Sequence, residues 1–324
     1  MNRFRFIVFA VALIAVALSF TTHAQTYPSK PVRVIVPYPP GGAGDIIART
    51  IGQKLSQAWG QQVVVENRPG AAGMIGAAQA AKSPADGYTL LLGYTAEIAI
   101  NPKLYSKIAY DPEKELVPVA MGGILPLLLV SNPSLPVKSV KDIIALAKAK
   151  PNQVIYGSAG YGSPAHLGME YLKRTAKVEI THVPYKGGAE VVTAIMTGDV
   201  MLFFSGIPPA IPFVNSGRLR ALAVSTKNRF QGLPNIPTVA ESGVPGFDLS
   251  GWFGYFVPTG TPQDMIEKLN SSISATLKGE DLAKQFLQQG ILIDQMNPEQ
   301  FGTYIRNETQ KYARLIKESG ARAE

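Results

Sequence analysis

A short β-branched run, Val32 to Val36, gives way to Pro37-Tyr38-Pro39-Pro40-Gly41-Gly42-Ala43-Gly44, after which Asp45 opens a stretch with Ile47, Ile51 and Leu55 at helical spacing. The pattern predicts strand, glycine-rich loop, helix. It recurs at once: strand Val63 to Glu66, turn Arg68-Pro69-Gly70, an Ala/Gly-rich helix from Gly73 to Ala81, a turn from Pro84 to Gly87, and strand Thr89 to Leu92. Two successive βαβ units predict a parallel sheet with right-handed crossovers. The middle of the chain repeats the scheme with strand Val154 to Tyr156, loop Gly157-Ser158-Ala159-Gly160-Tyr161-Gly162-Ser163, and a helix with Ser163 as N-cap and Pro164 in its first position. Strand Ile180 to Pro184, a helix from Ala189 to Met196, and strands Val200 to Phe204 and Leu219 to Val224 are expected to extend a second parallel sheet.

Two further segments resemble each other. Leu127 to Val130 leads through Pro133 to a helix from Val140 to Lys148, and Tyr255 to Val257 leads through Pro258-Thr259-Gly260-Thr261-Pro262 to a helix from Asp264 to Leu277. They read as the two crossings between lobes. The fold class is therefore α/β in two lobes, each a parallel-rich sheet flanked by helices; residues 25–123 and 250–324 form a discontinuous first lobe and 124–249 the second. A last amphipathic helix, Pro298 to Lys317, is read as lobe packing.

The first residues change the picture, because they read as an address. Arg3 and Arg5 precede an apolar run from Phe6 to Leu18, and small residues end in Thr22-His23-Ala24. This is the pattern of a secretory signal peptide with cleavage after Ala24, which implies a periplasmic protein. The 324-residue chain has no cysteine, so disulfides, thiol nucleophiles and thiolate metal sites are excluded. Its formal charge of +8 falls to +6 without Arg3 and Arg5. No Lys/Arg block with interleaved aromatics appears, so nucleic acid is not an expected partner.

In open parallel sheets, ligands sit beyond the carboxyl ends of the strands, where loops enter helices. Both glycine-rich loops occupy that position. Glycines let the backbone come close, and the following helix turn offers unpaired N–H groups and the positive end of its dipole. The loop from Pro37 to Asp45 is not a phosphate loop, since Gly44 is followed by Asp45 rather than Lys-Ser/Thr.

The motifs Tyr27-Pro28, Lys30-Pro31-Val32-Arg33, Val65-Glu66-Asn67-Arg68-Pro69-Gly70-Ala71, Ser83-Pro84-Ala85-Asp86-Gly87-Tyr88 and Ala99-Ile100-Asn101-Pro102 occur in order with the loop from Pro37 to Asp45. Tyr110-Asp111-Pro112, Gly157 to His166 with Leu167, Val183-Pro184-Tyr185-Lys186-Gly187 and Gly251-Trp252-Phe253-Gly254 continue them. With these the chain resembles the tripartite tricarboxylate transporter receptors, the Bug or TctC-like solute receptors, over essentially its whole mature length. The resemblance implies a periplasmic-binding-protein clamshell of type II-like design that closes on a carboxylate and delivers it to a membrane permease. A monomer without cofactor is expected. The resemblance also implies that main-chain donors and ordered waters hold the proximal carboxyl, a role that falls here on Tyr38, Gly41, Gly42 and Asp45 from one lobe and on Ser158, Ala159, Gly162, Ser163 and His166 from the other.

Where family members often carry a small polar run such as Gly-Thr-His, this chain has Tyr94-Thr95-Ala96-Glu97-Ile98. Thr95, Ala96 and Glu97 follow the strand Thr89 to Leu92 and are expected at the cleft. Glu97 either selects a ligand with a cationic or amide far end, or caps the following turn or points to solvent. Tyr185 is preferred to Lys186 as a contact, Ser205 follows the strand Val200 to Phe204 and joins the ligand-binding set, and Tyr94, Tyr161 and Phe204 are candidate apolar walls.

Neither His166 nor His182 has a second ligand at metal spacing, and no Gly-x-Ser-x-Gly elbow is present. A metal site and a hydrolase are both disfavoured. A ligand-binding partner of a sensor kinase would need the same clamshell and remains the alternative to a transport receptor.

Overall fold

The computed structural model describes residues 27–320, so the expected signal peptide and its cleavage site lie outside the described residues. The first strand, β1 (Val32–Val36), runs through the glycine-rich loop into α1 (Ala43–Trp59); β2 (Val63–Asn67), α2 (Met74–Ala81) and β3 (Thr89–Tyr94) follow. β1 pairs in parallel with both β2 and β3. The two expected βαβ units are present, with each helix start one or two residues from its expected place.

After β3 the chain coils through a wide π-type turn, Ala96–Ile100, into the short helices α3 (Asn101–Leu104) and α4 (Pro112–Glu115). It then enters β4 (Leu116–Ser131), a strand of 16 residues. Only its last third carries an uninterrupted apolar signal. Pro118, Gly122, Gly123 and Pro126 break the earlier part, and the ladder to β9 (Ser250–Pro258) shifts register at Pro118/Ala120 and again at Met121/Gly123. The crossings are therefore one long antiparallel pair, from Leu116 opposite Pro258 to Pro126 opposite Ser250, rather than two short strands.

Between them lie α5 (Val140–Ala149), β5 (Ile155–Ser158), α6 (Pro164–Ala176), β6 (Thr181–Pro184), α7 (Gly188–Thr197), β7 (Leu202–Gly206), α8 (Ile207–Asn215) and β8 (Arg220–Val224). The second sheet is not wholly parallel as expected. β5 pairs in parallel with β6 and β7, but β7 and β8 both run antiparallel to the far half of β4, from Leu127 to Ser131. Among the described residues the nine strands form one continuous order, β2-β1-β3-β9-β4-β7-β5-β6, with β8 on β4. Thus β4 belongs to both halves.

The chain closes with α9 (Gln263–Leu277), α10 (Glu280–Gln288) and α11 (Pro298–Ser319). Ile266, Leu269 and Ile273 of α9 and Ile47, Ile51 and Leu55 of α1 bury one face of the first half. A second core runs from Ile35 and Leu91 through Trp252 and Phe256 to Leu128, Tyr156 and Phe204, and so joins the halves. The long helix α11 begins with a reciprocal cap, Asn297 on the Gln300 amide and Gln300 on the Asn297 amide. Its Phe301 and Tyr312 are fully buried, and Tyr312 donates to the Ser250 carbonyl at 2.8 Å.

Candidate functional site

The loop after β1 is built by one carboxylate. Asp45, in the first turn of α1, accepts from the Gly41 amide at 3.0 Å, from Arg49 Nε at 2.9 Å and from Asn67 Nδ2 at 3.0 Å. Burial alone would raise its pKa, but these donors outweigh burial and hold it below the usual carboxylate range. Asn67 also donates to the Tyr38 carbonyl at 3.0 Å, which pins the other end of the loop. Gly42, the N-cap of α1, carries no side-chain cap. The first-turn amides of α1 thus keep their donor capacity while Asp45 is turned back on its own loop.

Tyr38 reaches from this loop to the turn after β3, donating its hydroxyl to Glu97 Oε2 at 2.8 Å. Glu97 Oε1 accepts the Tyr94 amide at 2.6 Å, so the side chain closes its own turn and does not point to solvent. Fully buried, it is pushed by desolvation to a pKa of about 8, even though these two bonds and one from its own backbone amide favour the charged form. Tyr94 lies edge-on to Tyr38 at 5.8 Å and tilted against Phe253 at 4.6 Å. Thr95 faces the other way: its hydroxyl accepts the Trp252 amide at 2.7 Å and donates to the Trp252 carbonyl at 3.2 Å, fastening the turn to β9. Ala96 is buried beside it.

The second group gathers on the loop after β5. Ser163 caps α6 by accepting the His166 amide at 3.3 Å and donates to the Gly160 carbonyl at 2.8 Å. The Gly162 amide donates to His166 Nδ1 at 3.2 Å, which places the proton of the neutral ring on Nε2. Ser158 Oγ bonds to the Gly160 carbonyl at 3.0 Å and to His182 Nε2 at 2.7 Å. The two imidazoles are tilted at 4.5 Å, with Tyr161 edge-on to both. Burial pulls His166 down to about 4; burial, then the neighbouring His166 and Lys173, pull His182 to about 3, so both rings are neutral at physiological pH.

Tyr185 joins this group through its amide on the Ser158 carbonyl at 2.9 Å, and Ala159 sits half-buried between. Ser205 does not join it. Its hydroxyl donates to the Gly206 carbonyl at 2.8 Å, and its place is in the β4–β7 ladder opposite Leu128. Phe204, expected as a cleft wall, is instead core, stacked on Phe247 at 5.6 Å. Tyr94 and Tyr161 keep partial exposure.

The two groups meet through α3. A Cβ placed on Gly162 would lie 2.3 Å from Leu104 Cδ2 and 3.6 Å from Ile100 Cγ2, so the second loop rests directly on the turn that carries Glu97. The Ser158–His182 pair has the spacing of a nucleophile and base, but His182 Nδ1 is buried without a partner and Ser158 is fully buried. Among the described residues no carboxylate orients the imidazole, and triad geometry is absent.

The sequence matches the Tripartite tricarboxylate transporter family receptor, TctC, over residues 47–321. The chain belongs to this receptor family. BugT of Bordetella pertussis is 38% identical over 324 residues, covering 99% of each chain. Among solved structures, an R. palustris protein with adipate superposes with a TM-score of 0.87 at 35% identity, covering 91% of this chain and 99% of that one. MatC from Rhodopseudomonas palustris with bound malate does so at 0.82 and 29%, covering 90% and 100%. These TctC-type proteins are periplasmic solute receptors, not enzymes. Among the described residues, no helix is long and apolar enough to cross a membrane.

Several residues that frame these loops carried no signal of their own. Arg49 and Asn67 hold Asp45, Tyr110 donates to the Glu97 carbonyl at 2.6 Å, and Asn101 bonds the Ala72 carbonyl at 3.0 Å while its Oδ1 stays buried without a partner. Asn67, Tyr110 and Asn101 all fall in motifs that carry the family likeness, which is the one sequence feature that marks them.

Proposed function

We propose that this chain is a periplasmic receptor that captures a small organic carboxylate between two lobes and hands it to a membrane permease of the tripartite tricarboxylate type. The lobes are residues 25–123 with 250–324, and 124–249, and the hinge is the β4–β9 pair. The observation that carries the reading is the loop after β1: Asp45 is engaged by Gly41, Arg49 and Asn67, and the uncapped first turn of α1 is left with its donors. An anion at a helix N-terminus is stabilised by those donors and by the dipole.

Gly42 and the amides that follow it hold the proximal carboxyl from the first lobe, with Tyr38 beside them. Gly41 shapes the turn, since its own amide is committed to Asp45. Ala159 and the Nε2–H of His166 meet the carboxyl from the second lobe, within the frame set by Ser158, Gly162, Ser163 and Tyr185. Adipate and malate in two structural relatives support a carboxylate of this size. Thermal-shift measurements on the mature chain against organic acids, amino acids, amides and sugars test the reading. Saturation at about a thousandfold over Kd adds about 4 kcal/mol, a rise of several degrees in Tm. A rise with sugars alone, or with nothing, overturns it.

A further inference from the structure

We infer that a cavity between α11, the turn after β3 and the start of β4 is a second binding site, separate from the cleft, for a medium-chain monocarboxylate: an acid with one charged end and an apolar tail. The inference is independent of the receptor reading, since the cavity shares no residue with the loops after β1 and β5.

The cavity measures about 520 Å³, a size that suits a small molecule. Ile98 from the turn, Leu116 from β4 and Phe256 from β9 give it an apolar floor of nearly buried side chains, and Pro118 flanks them. α11 closes the other side with Gly302, Ile305, Arg306, Thr309 and Ala313, whose spacing of three and four residues places them on one face of the helix. The opposite face of α11 is spent on the core, through Phe301, Tyr312 and Leu315.

Two polar groups of that stripe are unanswered. Thr309 is only 8% exposed, yet its hydroxyl makes no hydrogen bond to the described residues; on the same helix Thr303 donates to the Glu299 carbonyl one turn back, at 3.0 Å. Arg306 donates to the Thr303 hydroxyl at 2.8 Å and pairs with no carboxylate among the described residues. The other charges on the cavity, Lys103 and Glu113, cancel each other at 3.1 Å. The rim therefore carries one uncancelled positive charge beside an apolar floor. Residues three apart on a helix are neighbours, so one carboxylate over the stripe takes the Arg306 guanidinium and the Thr309 hydroxyl together. Its tail then covers Ile98, Leu116 and Phe256. A dicarboxylate would lay its second charge on that floor without a partner, and an uncharged ligand would leave Arg306 unanswered.

Isothermal titration calorimetry of octanoate into the mature chain tests this, with hexanoate and adipate for comparison. Octanoate is expected to bind about tenfold more tightly than hexanoate, for the two further methylenes it buries. Arg306→Gln and Thr309→Val should each weaken octanoate about fivefold. Ala313→Phe, which fills the cavity, should abolish its binding. Arg314→Gln, an exposed arginine of the same helix outside the cavity, should change it by no more than about twofold. Saturating adipate should leave octanoate affinity unchanged. Absence of octanoate binding, binding that survives in a folded Ala313→Phe protein, or displacement of octanoate by adipate overturns the inference and leaves the receptor reading standing. If circular dichroism shows Ala313→Phe unfolded, Arg306→Gln against Arg314→Gln decides, and equal affinities in the two overturn it.

Discussion

Asp45 would pass for a ligand contact by its position in the loop, yet its carboxylate is already engaged from three directions by Gly41, Arg49 and Asn67. It differs in kind from an exposed ion pair, because Arg49 is 54% exposed while the Asp45 side chain is 7% exposed. Removing Arg49 takes away a screened partner and leaves two neutral donors in place. Removing Asp45 leaves the Gly41 amide without its acceptor and Asn67 with the Tyr38 carbonyl alone. Asp45→Ala is therefore expected to cost about 1–3 kcal/mol in urea unfolding and to weaken carboxylate binding, and Arg49→Ala to cost under about 1 kcal/mol. Equal effects of the two substitutions would show that the ion pair, not the loop frame, is what matters. That Asp45 stands where the glycine-rich loop enters a helix was legible from the motif around it. Which way its carboxylate turns was not, since Asn67 arrives from another strand.

At the scale of elements, the loop after β5 rests on the turn and helix that run from Ile100 to Leu104. Gly162 has φ +75°, a conformation that favours glycine, and no room for a Cβ beneath Leu104. Gly162→Ala is expected to destabilise by about 1–2 kcal/mol through backbone strain and to hold loop and α3 apart, weakening ligand binding. Adding Leu104→Ala should restore part of the binding while leaving the strain, so that the double-mutant cycle shows a coupling above about 0.5 kcal/mol. A strictly additive pair would place the contact outside the closing movement. The glycine-rich loop was visible in the sequence, because loops after strands have a composition. Its partner was not: Ile100 and Leu104 lie in a π-type turn and a four-residue helix, both too short for a period to emerge. The same limit explains β4, whose first two-thirds are broken by proline and glycine, and the antiparallel run of β7 and β8, since strand direction within a sheet leaves no mark on a strand's own residues.

Across the whole molecule, buried groups of opposite sign shape the dependence of stability on pH. His166 and His182 titrate near 4 and 3 in the fold against 6.5 in an unfolded chain. Their contribution is present above pH 6.5 and is lost as pH falls, because the unfolded chain takes up protons that the fold refuses. Glu97 works in the reverse sense. With about 8 in the fold against 4.5 unfolded, it favours the fold fully below pH 4.5, and that advantage drains away as pH rises to 8. Each such proton changes stability by at most about 1.4 kcal/mol per pH unit. Between pH 4.5 and 6.5 the two histidines outweigh the one carboxylate, and above 6.5 the carboxylate acts alone. Urea unfolding across pH 4 to 9 is therefore expected to show greatest stability near pH 6.5, with a decline toward 8. In Glu97→Gln that decline should vanish, because a neutral amide keeps the Tyr94 and Tyr38 bonds at every pH. The variant should gain on the wild type progressively from pH 4.5 to 8, and then hold a constant lead. A decline that persists in the variant would assign it to another buried acid, with Glu308, which burial also raises despite Lys311 and Trp252 on its oxygens, the next to test.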